Sequence, residues 1–110
     1  MTERCKKYLS DILIATDLIE EFLSDISDFI SYQTDKKTKS AVERQLVIIG
    51  EAVNNFGKES DTNLHASAQI VNFRNRIVHA YDSIDDAIVW IIIHKHLPEL
   101  KAEVDHLFHE

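Results

Sequence analysis

The residues that could do chemistry lie close together in one stretch, Phe73-Arg74-Asn75-Arg76-Ile77-Val78-His79-Ala80-Tyr81. Arg74 carries a permanent positive charge on a planar fork that fits phosphate oxygens. His79 can take and give a proton near neutral pH. Those two side-chain types are enough to cut RNA without a metal. The imidazole would help deprotonate a ribose 2′-OH or protonate the leaving 5′-oxygen. The guanidinium would stabilise charge building on the phosphorus oxygens. Tyr81 adds a hydroxyl and a ring that could stack on a base.

Their spacing sets a geometric condition. In a straight helix Arg74 and His79 are five residues apart, about 140° around the axis, and do not share a face. Arg74 and Tyr81, seven apart, are nearly eclipsed, and Asn75 and His79, four apart, are aligned. A working site therefore needs an arginine that reaches round, a distorted turn, or a second copy of the helix. The third option implies a symmetric dimer with the site at its interface. Asn75 fits two roles, orienting His79 or closing a local hydrogen bond.

The elements that must position these residues are helical. Gly occurs twice and Pro once in 110 residues, too few chain-breakers for a turn-rich β protein. Apolar residues at Tyr8, Ile12, Ala15, Ile19, Phe22, Ile26, Phe29 and Ile30 keep the helical period, which predicts one helix from about Glu3 to Ile30. The polar stretch Tyr32–Lys37 reads as a loop. A second helix starts between Asp35 and Lys39 and runs to Phe56, with Ala41, Leu46, Ile49, Ala52, Val53 and Phe56 in its stripe. Gly50 inside it marks a close helix crossing, and Gly57 fits the residue just past its end.

A third helix spans about His65 to Tyr81, with Ala68, Val71, Ile77 and Val78 facing the core and Ile70 and Phe73 beside them. A fourth follows Ser83 as N-cap, with Asp86 three residues on. It contains the apolar run Ala87–Ile93, which reads as buried all round. Pro98 must kink or restart this helix, because it lacks the donor for the i−4 bond. The expected fold is all-α, an antiparallel bundle of four to five helices forming a single domain over residues 1–110.

Composition narrows the function. The chain is 45% hydrophobic, enough for a core, yet its longest apolar run is the seven residues Ala87–Ile93, far short of a membrane span. The N-terminal segment lacks the apolar stretch of a signal peptide, and the single Cys5 cannot form an internal disulfide. Both features point to the cytoplasm. The formal net charge of −7 argues against nucleic acid, but the charge is unevenly spread. Residues 1–35 carry eight acids and three Lys/Arg, whereas residues 36–58 carry five Lys/Arg and two acids. From Thr62 to Tyr81 there is no acid at all. The middle of the chain is therefore the polyanion-facing side, and Arg76 with Lys36, Lys37 and Lys39 are the candidates for RNA-backbone contact. For Arg76, backbone contact and plain solvation fit equally well.

A metal site is not expected. His94 and His96, two apart on a helix, point about 200° from each other, poor geometry for chelation. His106 and His109 are better spaced but have no cysteine partner. No Gly-rich phosphate loop is present.

The stretch Arg74-Asn75-x-x-x-His79-x-Tyr81 resembles the R-x4-H motif of the HEPN superfamily, in the R-x4-H-x-Y form of HepT-like toxins, the DUF86 family. The resemblance extends to Ala41-Val42-Glu43-Arg44 and Ile48-Ile49-Gly50-Glu51-Ala52, which are similar to that family's second helix. Trp90 and the step Leu97-Pro98-x-Leu100 fit its last helix. It covers essentially the whole chain.

The resemblance implies a HEPN-type bundle and a metal-independent endoribonuclease, with Arg74 and His79 of two protomers in one cleft. It implies a type VII toxin–antitoxin system in which an MNT-type minimal nucleotidyltransferase antitoxin transfers AMP to Tyr81. The added charge and bulk would block an RNA phosphate beside Arg74 and His79. Arg44 and Glu51 then either wall the cleft from the second helix or serve only as solvated or paired structural groups. No cofactor is implied. Two other functions fit the same residues: a non-catalytic helical partner of a nucleotidyltransferase, and a dimeric bundle that binds nucleotide without cutting.

Overall fold

A computed structural model describes residues 1–65, 67–79 and 84–110, with Val78 and His79 described by backbone alone. Among the described residues every regular element is helical. Helix α1 (Glu3–Phe22) opens under Thr2, whose hydroxyl accepts the N–H of Cys5 at 3.1 Å. It buries Cys5, Leu9, Ile12, Ala15, Thr16 and Ile19, the three-and-four stripe of a helix packed on one side. Thr16 satisfies its hydroxyl on the Ile12 carbonyl at 2.8 Å.

The helix expected to run on to Ile30 stops at Phe22 instead. A short α2 (Phe29–Thr34) begins where the carboxylate of Asp28 accepts the Ser31 N–H at 2.7 Å. The stretch expected as a loop from Tyr32 is thus partly helical. Asp35 ends α2 and caps α3 (Lys36–Glu59), accepting both the N–H and the hydroxyl of Thr38. The Asp28 cap therefore divides the apolar period expected as one helix between α1 and α2, and the Asp35 cap opens α3 where the second helix was expected to start. Gly57 lies within α3 rather than past its end, and Ser60 is the cap residue. No described residue has a positive φ, so Gly57 serves no left-handed turn.

Helix α3 is the central rod, packed between α1 and α4 (Ala68–His79). Arg4 at the start of α1 pairs with Glu59 at the end of α3 at 2.9 Å, so the two helices run antiparallel. Among the described α4 side chains, Ile70 and Phe73 are buried, Val71 and Ile77 pack partly, and Ala68 is exposed, the reverse of the order expected for these five; Val78, also expected in the core, has a side chain outside the described residues.

Ser83, the expected cap of the next helix, lies outside the described residues. Asp85 caps α5 (Asp86–Ile91) through the Ala87 N–H. A π-helical segment, Ile92–His96, follows without a break and leads into α6 (Leu97–Phe108). The Leu97 N–H reaches back five residues to the Ile92 carbonyl. The widened turn sits just before Pro98, where a proline lacks its N–H and crowds the carbonyl four residues back. Here Pro98 restarts the α-helix, as its chemistry requires.

The apolar run 87–93 is not covered on every side: Val89, Ile92 and Ile93 are buried, while Ala87 is exposed and Ile91 is 53% exposed. Lys101 of α6 bridges Asp17 and Glu20 of α1, at 3.3 and 2.8 Å, tying the last helix to the first. The short α2 is pinned by aromatics. Trp90 meets Tyr32 at 5.5 Å, Phe29 at 6.1 Å and His94 at 4.1 Å, ring centre to ring centre. Among the described residues, no helix is long and apolar enough to cross a membrane.

Candidate active site on helix 4

Arg74 sits at a close approach of α4 to α3 that is built on Gly50. A Cβ on residue 50 would stand 2.5 Å from the Arg74 Cβ, 3.0 Å from its Cγ and 3.3 Å from the Ile70 carbonyl oxygen. Only glycine admits that approach. The Arg74 side chain, 24% exposed, then lies along α3. Its Nη2 is 3.7 Å from Glu51, and its Nη1 donates to the Asn75 side-chain oxygen at 3.0 Å. Its Nε is buried and has no acceptor among the described residues. Of the five guanidinium N–H groups one bonds Asn75 and Glu51 stands within ion-pair range, so N–H groups at the partly exposed tip have no acceptor among the described residues and can receive an anionic oxygen. Asn75 takes the local hydrogen bond, and its carbonyl oxygen acts on Arg74.

Helix α4 is regular from Ala68 through His79. The distorted turn that could bring positions 74 and 79 to one face is absent, and the two stay about 140° apart around the axis. The side chain of His79 and the whole of Tyr81 lie outside the described residues.

The other sequence candidates divide clearly. Glu51 touches Arg74, whereas Arg44, two turns earlier on α3, is exposed and pairs with no described residue. Lys36 and Lys37 are exposed at the start of α3, about 21 Å along the helix from Gly50. Lys39 is engaged by Asp86 at 2.7 Å. Beside this pair lie two acidic groups, Glu43 and Tyr32, whose protonated forms are favoured. Burial and Asp86 raise the Glu43 carboxyl above its ordinary range, against a lowering by Lys39. Burial, then Glu43 and Asp86, also raise the Tyr32 phenol, whose hydroxyl has no partner among the described residues.

Arg76 is exposed on the opposite side of α4 from Gly50 and forms no ion pair among the described residues. Gln69 and Asn72 join it there, a spacing of three and four that the acid-free window already contained. His96, weighed in the sequence only as a metal ligand, lines the same cleft. Among the described residues no three His, Cys, Asp or Glu side chains come together as a metal site.

Residues 12–107 match the family described as Ribonuclease HepT-like. A protein of Thermococcus cleftensis named "Probable ribonuclease HepT" is 37% identical over 105 residues, covering 93% of this chain and 94% of its own. "Putative RNase MJ1380" of Methanocaldococcus jannaschii is 36% identical over 103 residues, covering 91% and 93%. A ribonuclease-named relative in Caldanaerobacter subterraneus is 33% identical over 102 residues, covering 90% and 89%. No solved structure gives a significant match. With an all-helical fold, an arginine seated on Gly50 and matches running nearly end to end, this chain belongs to the ribonuclease HepT-like family.

Proposed function

We propose that this protein is a metal-independent endoribonuclease whose site combines Arg74 of one copy with His79 of another. The observation that carries this reading is the seating of Arg74. Gly50 lowers it against α3, Glu51 and Asn75 flank the guanidinium, and its tip stays partly exposed with N–H groups that no described residue takes. The regular α4 between residues 74 and 79 supports a partner's helix as the source of the second group.

In the reaction, His79 takes the 2′-OH proton, the 2′-oxygen attacks phosphorus, and the 5′-oxygen leaves and is protonated. The products are a 2′,3′-cyclic phosphate and a free 5′-hydroxyl. Arg74 bears the charge that builds on the non-bridging oxygens.

The protein acts in the cytoplasm as the toxin of a HepT/MNT pair. The phenol oxygen of Tyr81 attacks the α-phosphorus of ATP on the nucleotidyltransferase antitoxin, and pyrophosphate leaves. The AMP then repels an incoming RNA phosphate.

Mixing copies tests the shared site. Arg74→Ala and His79→Ala proteins should each be inactive. Unfolded and refolded together, they should regain cleavage, because half of the sites in a mixed dimer keep both groups. Persistent inactivity of the mixture, with mixed dimers demonstrated, would refute the pairing across copies. Incubation with ATP and the antitoxin should add AMP to wild type and not to Tyr81→Phe.

A further inference from the structure

A second feature of α4 lies about 200° around the helix from Arg74. There a cleft of about 540 Å³ opens between α4 and the α5–π segment. Gln69, Asn72 and Arg76 form one wall, His96 stands opposite, and Ile88 and Ile91 supply apolar surface. The size falls within the range of small-molecule sites, roughly 300–1,000 Å³.

Its electrostatics differ from the rest of the protein. The chain carries a net charge of −7, yet no acid lines the cleft among the described residues. Arg76 is exposed, and no described residue pairs with its fork, which suits it to meet an anion. The Gln69 and Asn72 amides each present donors and an acceptor, as base edges do. Ile91, 53% exposed, leaves an apolar face for a base or ribose. His79 follows Arg76 by one turn of α4, so the cleft adjoins the candidate catalytic position.

We infer that this cleft is a subsite for single-stranded RNA, holding the nucleotide that flanks the scissile phosphate, with Arg76 on its phosphate and Ile88 and Ile91 against its base or sugar. The inference rests on the ribonuclease reading for the identity of the polyanion. Its own content is the location of binding, and that can fail separately.

The test measures binding of a fluorescent mixed-sequence decaribonucleotide to His79→Ala protein, which removes cleavage from the readout. Arg76→Ala should weaken binding about tenfold and flatten the salt dependence by about 0.7, the share of one phosphate contact on a single strand. Ile91→Glu should weaken it at least as much. Ile14→Glu makes the same charge change at a residue 57% exposed on α1, away from the cleft, and should stay within about twofold of the parent. Equal affinity for all three variants would overturn the subsite. So would equal losses for Ile14→Glu and Ile91→Glu, which would point to the charge of the whole protein. A dimer that dissociates in Ile91→Glu while Arg76→Ala binds normally would also overturn it and assign the cleft to a contact between copies.

Cleavage by wild type, measured in parallel, separates the two readings. Cleavage with binding indifferent to Arg76 and Ile91 removes the subsite alone. Variant-sensitive binding without cleavage keeps the subsite and removes the enzyme. The absence of both removes both.

Discussion

Gly50 and Arg74 cross with no room for a methyl group between them, since a Cβ at position 50 would come 2.5 Å from the Arg74 Cβ. The residue proposed to meet the RNA phosphate is therefore set in depth by a glycine on another helix. Gly57, on the same helix, has nothing within 4 Å of the place its Cβ would occupy. The two glycines form a matched pair. Gly57→Ala should gain about 0.5 kcal/mol from helix propensity, while Gly50→Ala should lose about 1–3 kcal/mol to overpacking despite the same propensity gain. Urea denaturation measures both. Under conditions where each variant is fully folded, RNA cleavage should fall in Gly50→Ala and be unchanged in Gly57→Ala.

The contacts of Arg74 separate charge from shape. Lysine at this position would keep the positive charge but could not present the fork that spans Glu51, Asn75 and an incoming oxygen. Arg74→Lys should fold normally by circular dichroism and lose at least about 100-fold in cleavage kcat. Activity close to wild type would mean that charge alone suffices there.

A pH dependence of stability follows from Glu43. Burial, and next the charge of Asp86, raise its carboxyl above the ordinary value of 4.5. The folded state then binds the proton more tightly than the unfolded chain. The favourable contribution of Glu43 is complete below pH 4.5 and is lost as pH rises through the raised value. Glu43→Gln, which cannot ionise, should have a higher Tm than wild type at pH 7. The gap should shrink as pH falls through the carboxylate range. A constant gap from pH 4 to 7 would place the effect in packing rather than ionisation.

Trp90 holds α2 against α5 through Tyr32 and Phe29. Trp90→Ala should cost about 2–4 kcal/mol in denaturation. Proteolysis should then begin between Phe22 and Asp35, the segment that contains α2 and its flanking caps.

Much of this architecture is legible in the sequence. The amphipathic stripes of α1, α3 and α6 mark helices, and Pro98 announces the restart that the π segment accommodates. The break after Phe22 is hidden because Leu23, Ile26, Phe29 and Ile30 continue the period through the Asp28 cap. The Asp-x-x-Ser spacing at Asp28 and Asp-x-x-Thr at Asp35 were the available signals, and a local carboxylate bond outweighs periodicity at such points. Ile91 reads as core because its neighbours are apolar, but the α4 wall leaves it open. In the candidate site, the motif singles out Arg74, His79 and Tyr81 as the residues to test, and Gly50 marks a close helix approach. That the approaching residue is Arg74 depends on how α3 and α4 cross, which no single helix encodes. His96 joined the cleft from a different helix for the same reason.

The most direct measurement is cleavage of RNA by purified protein in EDTA, wild type beside His79→Ala, with the product ends identified. The account predicts cleavage by wild type alone, leaving a 2′,3′-cyclic phosphate and a 5′-hydroxyl. Cleavage that EDTA abolishes, or that folded His79→Ala performs as well as wild type, would contradict it.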